Sequence, residues 1–354
     1  MALMDKPLAL KKVHSFVRRL KKQQGKINKL PRAITLNYNN VCNFKCNFCF
    51  SAEESNEHLH DCLSFEEIHR LADEADALGI WEIVLTGGEL LVQPEKLFQL
   101  IASFQPERFQ MVLITNGYLM TPALAEQLKS AGIDCVGVSI SGMSPEEHNA
   151  SRGGVKDAHK RALDALAYVK AAGMAAWPNV IFGHHNARSR DLRALLEYCD
   201  QKGYSTYFML AMPFGTWKDN RLDAEDSKIF AQLRKEYHCC FDTWDMYDPQ
   251  KEKLSGCWTV NRTYITPLGD VLVCPYINIS IGNIKERSLK EILDYGFKIK
   301  YFGSYSPVCI SAQHPFFRRR FLPNELNIFH PVKAQDVFGK EDFLEDEQDE
   351  QGKI

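Results

Sequence analysis

Between residues 33 and 211 the chain alternates six short β-rich runs with helical patterns, and few folds accommodate such an order. The runs fall at 34–36, 83–85, 111–114, 136–140, 177–182 and 204–210. Helical periodicity occupies 64–78, 94–104, 122–131, 156–172 and 190–202 between them. Ser64 followed by Glu67 is a capping-box start for the first of these helices. Strands separated by helices predict a parallel sheet, because parallel neighbours need a crossover between them. Such crossovers are right-handed, and reactive groups collect where the strands end, so each residue just after a strand becomes a candidate. The alternation favours a barrel or partial barrel over an open sheet.

A length of 354 residues predicts two domains, or one large domain with an appendage. Lys and Arg number 43 against 45 Asp and Glu, so no global charge draws the chain to nucleic acid. No aromatic-basic RNA module is present either, which argues against an RNA-modifying role. The sequence has no apolar run of about 18 residues and no apolar signal-peptide core near its start, which reads as a cytoplasmic protein.

Residues 1–32 carry ten basic side chains against one acidic, with Leu10, Val13, Phe16, Val17 and Leu20 at helical spacing. This predicts a basic amphipathic helix that packs on the main domain, with peripheral membrane or partner contact as the alternative. Past residue 213 the alternation stops, and RTYITPLGDVLVCPY reads as a hairpin turning at Pro267, Gly269 and Asp270. The stretch from Gly339 holds seven acidic residues and two basic ones, and reads as a solvated tail. The expected division is therefore 1–32 for the helix, 33–215 for the barrel, 216–330 for a smaller domain and 331–354 for the tail.

Eleven cysteines are an odd number in a chain too large to need a disulfide framework, so metal or redox chemistry is the first expectation. Cys42, Cys46 and Cys49 form a C-x3-C-x2-C triplet directly after the first strand. Thiolates suit zinc or iron and sulfide, and three of them on a four-iron cube leave one iron open to another ligand. A zinc site completed by a distant residue such as His58 or His60 is the alternative reading. A second set comprises Cys257, Gly269 and Cys274 at C-x11-G-x4-C spacing, with Cys309 downstream. A structural zinc, or a set of reduced buried thiols, is the alternative there. Cys62, Cys135 and Cys199 read as small buried apolar groups.

The triplet resembles the signature of the radical S-adenosylmethionine (SAM) superfamily, and further motifs follow in that family's order. Gly87-Gly88-Glu89 after the second strand is similar to its GGE element, which holds the methionyl ammonium of SAM, although Leu90 stands where Pro is usual. Thr115-Asn116 with Gly117 is similar to its TNG turn. Ser139 matches a ribose-contacting position, while Ser141 replaces the usual Asp. Arg152 resembles the arginine that meets the SAM carboxylate, a natural guanidinium partner. The second cysteine set resembles the auxiliary-cluster domains called SPASM and twitch, and the sparse downstream cysteines favour the twitch form. GNIKERSLKEIL resembles the helix that follows the hairpin in those domains.

The resemblance implies an α/β fold, a partial (β/α)6 TIM barrel with a small C-terminal twitch-like domain of hairpin and helix. It also implies a SAM-binding [4Fe-4S] cluster on Cys42, Cys46 and Cys49, and a second, auxiliary [4Fe-4S] cluster on Cys257, Cys274 and Cys309. The fourth auxiliary ligand is left open between an exogenous atom and Cys239, Cys240 or His314. In the implied reaction a reduced cluster passes an electron to SAM, giving methionine and a 5′-deoxyadenosyl radical that takes hydrogen from an unactivated C–H bond. A flavodoxin- or ferredoxin-type reductant would supply that electron.

Only 41 residues precede Cys42, fewer than the peptide-recognition domain found in many peptide-modifying relatives. The expected substrate is therefore a small biosynthetic intermediate that is oxidised, epimerised or rearranged, with a peptide handled by a separate partner as the alternative. A non-catalytic iron-sulfur or zinc scaffold is the alternative of another class, and it would not need the Gly87-Gly88-Glu89, Ser139 and Arg152 set. His184, His185 and Asn186 after the fifth strand are candidates for SAM contact or proton donation. Tyr207, Met209 and Met212 are candidates to line the adenine or substrate site, with core packing as the simpler role.

Overall fold

The computed structural model describes residues 5–27, 29–49, 60–211, 222–241, 245, 255–322 and 330–345. Met212, His58 and the end of the acidic tail lie outside them. Seven strands form parallel neighbours in sequence order: β1 (Ala33–Asn37), β2 (Glu82–Thr86), β3 (Gln110–Thr115), β4 (Cys135–Ser139), β5 (Ala175–Phe182), β6 (Thr206–Leu210) and the two-residue β7 (Cys239–Cys240). The crossovers carry helices α2 (Phe65–Ala77), α3 (Pro94–Phe104), α4 (Pro122–Ser130), α5 (Pro145–Ser151), α6 (Ala158–Ala171) and α7 (Arg190–Lys202). Helix α8 (Ala224–Glu236) lies between β6 and β7. The capping box at α2 is formed as expected, Ser64 accepting from the Glu67 amide and Glu67 from the Ser64 amide.

The sixth strand starts two residues later than the sequence pattern suggests. Gly203 closes α7 in the left-handed conformation (φ 68°), and the Tyr204 amide donates to the Cys199 carbonyl, so that residue belongs to the helix cap.

Alternation sorts each strand's side chains into two cores. Ile34, Leu36, Ile83, Leu85, Met111 and Leu113 face outward into the helix layer. Val84, Val112, Cys135, Trp177, Tyr207 and Cys240 pack together on the inner face of the curved sheet. The inner face of the sheet thus carries a small core of its own.

The hairpin strands β8 (Arg262–Ile265) and β9 (Asp270–Cys274) do not found a sheet of their own. Strand β8 pairs in parallel with the free side of β1, and β9, β10 (Ile277–Asn283) and β11 (Val332–Lys333) continue outward. The result is one sheet of eleven strands, ordered β11-β10-β9-β8-β1-β2-β3-β4-β5-β6-β7, which runs through the division expected at 215/216. Helix α9 (Leu289–Lys298) follows the hairpin and packs on β10.

Helix α1 (Pro7–Lys22) buries Ala9, Val13, Phe16 and Leu20 against Trp81, Ile27 and Leu30. Lys6 pins its start through Asp134 (2.5 Å) and the Gly132 and Phe109 carbonyls. The apolar face that a membrane surface would need is therefore spent inside the protein. Among the described residues no helix is long and apolar enough to cross a membrane.

Candidate functional site

The loop after β1 that carries Cys42, Cys46 and Cys49 is held on three sides. On one side the turn after β2 is zipped to it: the Gly88 amide donates to the Asn39 carbonyl (2.7 Å) and the Glu89 amide to the Val41 carbonyl (2.8 Å). A Cβ on Gly88 would stand 2.2 Å from the Val41 oxygen, and one on Gly87 (φ 157°) 2.4 Å from the Asn39 oxygen. These glycines thus let two backbones meet, and the chain they admit is the cysteine loop itself.

On the second side the end of α5 braces the loop. The Asn47 amide donates to the Ser151 carbonyl (3.1 Å), and Gly153 packs so closely that an added Cβ would lie 2.5 Å from the Lys45 oxygen. Arg152, 6% exposed, stacks over the Phe48 ring (4.9 Å) and reaches the Cys46 sulfur (3.9 Å) and Ser141 Oγ (3.5 Å). On the third side the Asn116 side chain donates to Asn43 Oδ1 (2.8 Å), and Tyr118 meets Phe44 edge to face. Within the loop, Cys42 Sγ accepts from the Phe44 amide and the Cys49 amide donates to the Cys46 carbonyl. Every residue that the motifs single out, apart from Ser139, contacts this loop or a group that does.

Glu89 is held by groups of three different residues. Its carboxylate is 1% exposed and accepts from Thr115 Oγ1 (2.8 Å), the Asn116 amide (2.6 Å) and the Leu91 amide (3.1 Å). Burial pushes its pKa up, and these donors oppose the rise. The visible work of Glu89 is to tie the end of β2 to the end of β3, with Thr115 and Asn116 as its partners.

Ser139, half-buried at the end of β4, pairs in register with Asn179 on β5. Asn179 is 2% exposed, and neither Nδ2 nor Oδ1 of its side chain has a partner among the described residues. The indole nitrogen of Trp177, two residues earlier on the same face, is unpartnered too, as is Nε of Arg152. Both Asn179 and Trp177 lean over Gly137, where a Cβ would meet each at 2.5 Å. Buried polar atoms without partners are rare and call for a polar ligand. Asn179 lies beside the end of β4 on the inner face of the sheet, and such unpaired polar atoms fit a polar ligand such as SAM.

Sequence reasoning missed Asn179, whose only signal is its place on the inner face of β5, in register with Ser139. It missed Asp191 as well. The motif's acidic residue is absent at Ser141, yet Asp191 from α7 accepts from the Met143 (2.9 Å) and Ser144 (2.6 Å) amides and packs against Gly142. A carboxylate thus reaches that turn from another element.

Of the three candidates after β5, His184 and Asn186 are bonded within the fold. Asn186 bonds its own turn, accepting from the Gly183 amide and donating to the Ile181 carbonyl. His184 bonds Asp226 (2.8 Å), which also receives Arg188 (2.5 Å) and caps α8, an ion-pair knot at the start of that helix. Tyr207 and Met209 lie on the inner face of β6.

The second cysteine set converges as well. Cys309 stands close enough to Cys257 and Cys274 to raise the pKa of both thiols, and burial with this neighbour pushes Cys257 up to about 11. Tyr276 and Arg262 stand beside Cys274. Arg262 then reaches inward to Tyr207 Oη (2.9 Å) and Thr35 Oγ1 (3.2 Å), so this set borders the inside of the barrel. Of the candidates for a fourth ligand, His314 caps the helix Pro315–Phe321 through Nδ1, and Cys239 and Cys240 form β7 at the far end of the strand order. Cys135 and Cys199 are buried as expected, but Cys62 is half-buried in a loop and hydrogen-bonds Tyr38.

Neither cysteine triplet is as tight as a single ion requires. A tetrahedral zinc with bonds of about 2.3 Å brings its sulfurs to about 3.8 Å. Among the described residues only His184, Asp223 and Asp226 offer three donors all within 4.8 Å of one another. The wider cysteine sets suit the corners of an iron-sulfur cube.

Residues 36–199 match the family model of the radical SAM superfamily, and residues 257–311 match that of an iron-sulfur cluster-binding domain, SPASM. The chain is 25% identical to the AdoMet-dependent heme synthase of Methanosarcina barkeri, over 74% of this chain and 82% of that protein. It is 26% identical to the GTP 3′,8-cyclase of Sulfurimonas denitrificans, over 71% and 81% respectively. Its fold is similar to that of Streptococcus suis SuiB bound to the precursor peptide SuiA, with a TM-score of 0.58 and 15% identity over 87% of this chain and 70% of that one.

Proposed function

Since the chain belongs to the radical SAM superfamily, is an enzyme that binds SAM and a [4Fe-4S] cluster, and carries an auxiliary iron-sulfur domain, we propose that it abstracts hydrogen from a small-molecule intermediate inside its barrel. In this reading Cys42, Cys46 and Cys49 hold the first cluster, and Cys257, Cys274 and Cys309 hold the second. When bound, the first cluster and SAM supply methionine and a 5′-deoxyadenosyl radical, the hydrogen-abstracting agent. The residues of this chain then bind, orient and exclude water.

Arg152, its Nε unpartnered, is placed for the SAM carboxylate. In this reading Ser139 and the unpaired Asn179 side chain meet polar atoms of SAM, and Gly137, lacking a Cβ, lets Asn179 and Trp177 lie against the β4 backbone. Glu89, with Thr115 and Asn116 bonded to its carboxylate, faces the methionyl ammonium of SAM in this reading and joins the loops around it. Trp177, Tyr207 and Met209 keep water from the interior. The observation that carries the small-molecule reading is this interior itself: two cysteine sets border one barrel whose inner wall presents unpaired polar atoms on buried side chains.

The test incubates the reconstituted, reduced protein with SAM and deuterated candidate substrates under anaerobic conditions. Deuterium in the released 5′-deoxyadenosine identifies both the substrate and the carbon attacked. Transfer from a deuterated peptide and from none of the small molecules would replace this reading with a peptide-modifying one. Iron-loaded protein that leaves SAM intact would favour a non-catalytic scaffold.

A further inference from the structure

The outer face of α1 is basic, exposed and unused by anything described above. Lys11, His14, Arg18, Lys21 and Lys22 line it, and no acidic residue occurs in the sequence between Asp5 and Glu53. Arg18, Lys21 and Lys22 have no acidic partner among the described residues, whereas Lys6 and Lys12, on the inner side, are paired with Asp134 and Asp76. A row of unpaired like charges costs stability through self-repulsion and does nothing for the fold, whose contribution from α1 comes from the opposite face.

The direction of this row ties it to the second cysteine set. Past its last turn α1 runs through Gly25 and Lys26, which pair with Ser255: the Ile27 amide donates to the Ser255 carbonyl and the Ser255 amide to the Gly25 carbonyl. Ser255 is two residues before Cys257, whose amide donates to the Ser306 carbonyl. The Lys26 ammonium stands over the Tyr305 ring (5.5 Å), and Tyr305 Oη bonds Ser255 Oγ (3.0 Å). Val308, next to Cys309, is an exposed apolar side chain at 37%. Beside α1, a groove of about 470 Å³ is lined by Arg19, Lys29 and Lys298, with Asp294 as the one acidic side chain, around Leu293 and Phe297. The basic row thus ends at the segment that leads into Cys257, and Cys257, Cys274 and Cys309 are each partly exposed.

We propose that this surface, the exposed face of α1 continued through Lys26 to Val308, is the docking site of an acidic one-electron carrier protein of the flavodoxin class, seated to exchange electrons with the auxiliary site. The transfer moves one electron from the reduced centre of one partner to the oxidised centre of the other, with no bond made or broken. A membrane surface fits less well, because the apolar face of α1 is buried and only Leu8 is an exposed large apolar residue on the helix. A nucleic acid would be served equally by a basic patch anywhere, whereas a carrier needs the patch beside a redox centre.

This inference rests on the auxiliary site holding a redox cluster. Iron content and dithionite-driven SAM cleavage, measured on the same preparations, report on that reading separately. The experiment titrates the full-length, reconstituted protein with a purified acidic flavodoxin at about 50 mM and about 300 mM NaCl, and repeats it with Arg18→Glu/Lys21→Glu/Lys22→Glu. A control variant, Lys160→Glu/Lys228→Glu/Lys290→Glu, changes net charge equally at exposed positions elsewhere.

The expected result is binding at low salt that weakens severalfold at high salt, falls about tenfold or more in the α1 variant and persists in the control. Carbodiimide cross-links should map to Lys21, Lys22 or Lys26. No flavodoxin binding to the wild type, or equal loss in both variants, overturns the proposal. So does charge-dependent binding of phosphatidylglycerol vesicles or RNA through α1 without any binding of the flavodoxin.

Discussion

Gly88 brings two backbones together with no room for a side chain between them, and that makes a testable claim. Gly88→Ala should place a methyl group against the Val41 carbonyl and displace the cysteine loop. The expected outcome is reconstituted protein with severalfold less iron at the first site and severalfold slower SAM cleavage, read by the visible absorbance of the cluster and by 5′-deoxyadenosine release. His148 offers a test by pH. It is 1% exposed, its Nδ1 accepts from the Ser141 amide, and burial with Arg152 nearby pulls its pKa down to about 3. The unfolded imidazole, at about 6.5, takes up its proton first, so stability is lost as pH falls below about 6.5 and continues to fall towards about 3. Between pH 7 and pH 5 this amounts to about 2 kcal/mol, and His148→Gln should remove that part of the slope in urea titrations at the two pH values. The motif spacing made Cys42, Cys46, Cys49 and Arg152 legible in the sequence. Asn179 and Asp191 were not, because their neighbours come from strands and helices far away in the chain.

Among the elements, those with strong local signals formed where the pattern put them, within one or two residues. Helix α2 carries its own cap, and β8 and β9 turn at Gly269, whose φ of 94° suits glycine. What local signals cannot say is which edge a hairpin joins. Arg32 shows what decides it: fully buried, it bonds Glu82 (3.2 Å) before β2 continues and Asn261 (3.2 Å) just ahead of β8. It thus fastens β1, β2 and β8 together at the starts of the strands. Arg32→Ala leaves the Glu82 carboxylate buried without its cation, and should cost about 3–5 kcal/mol in urea unfolding at pH 7. Arg32→Met should cost no less while Glu82 remains, and pairing it with Glu82→Leu should restore part of the loss, a double-mutant cycle that separates the ion pair from packing.

For the whole molecule, one continuous sheet carries both cysteine sets and gives them a common interior. If they are independent cluster sites, the wild type should reconstitute to about eight irons per chain. Cys42→Ala/Cys46→Ala/Cys49→Ala should keep about four irons and lose all SAM cleavage, and Cys257→Ala/Cys274→Ala/Cys309→Ala should keep about four and retain cleavage. Metal analysis and 5′-deoxyadenosine release check both. The sequence by itself determined the alternating strands and helices, the cysteine triplet and its companion motifs, since period, spacing and turn chemistry are written along the chain. Only the tertiary structure decided that the C-terminal hairpin extends the barrel sheet, that Asp191 reaches the turn where Ser141 stands, and that the segment after the basic helix pairs with Ser255, two residues before Cys257. Such pairings depend on which buried polar groups and sheet edges find partners across hundreds of residues, and no local pattern records that.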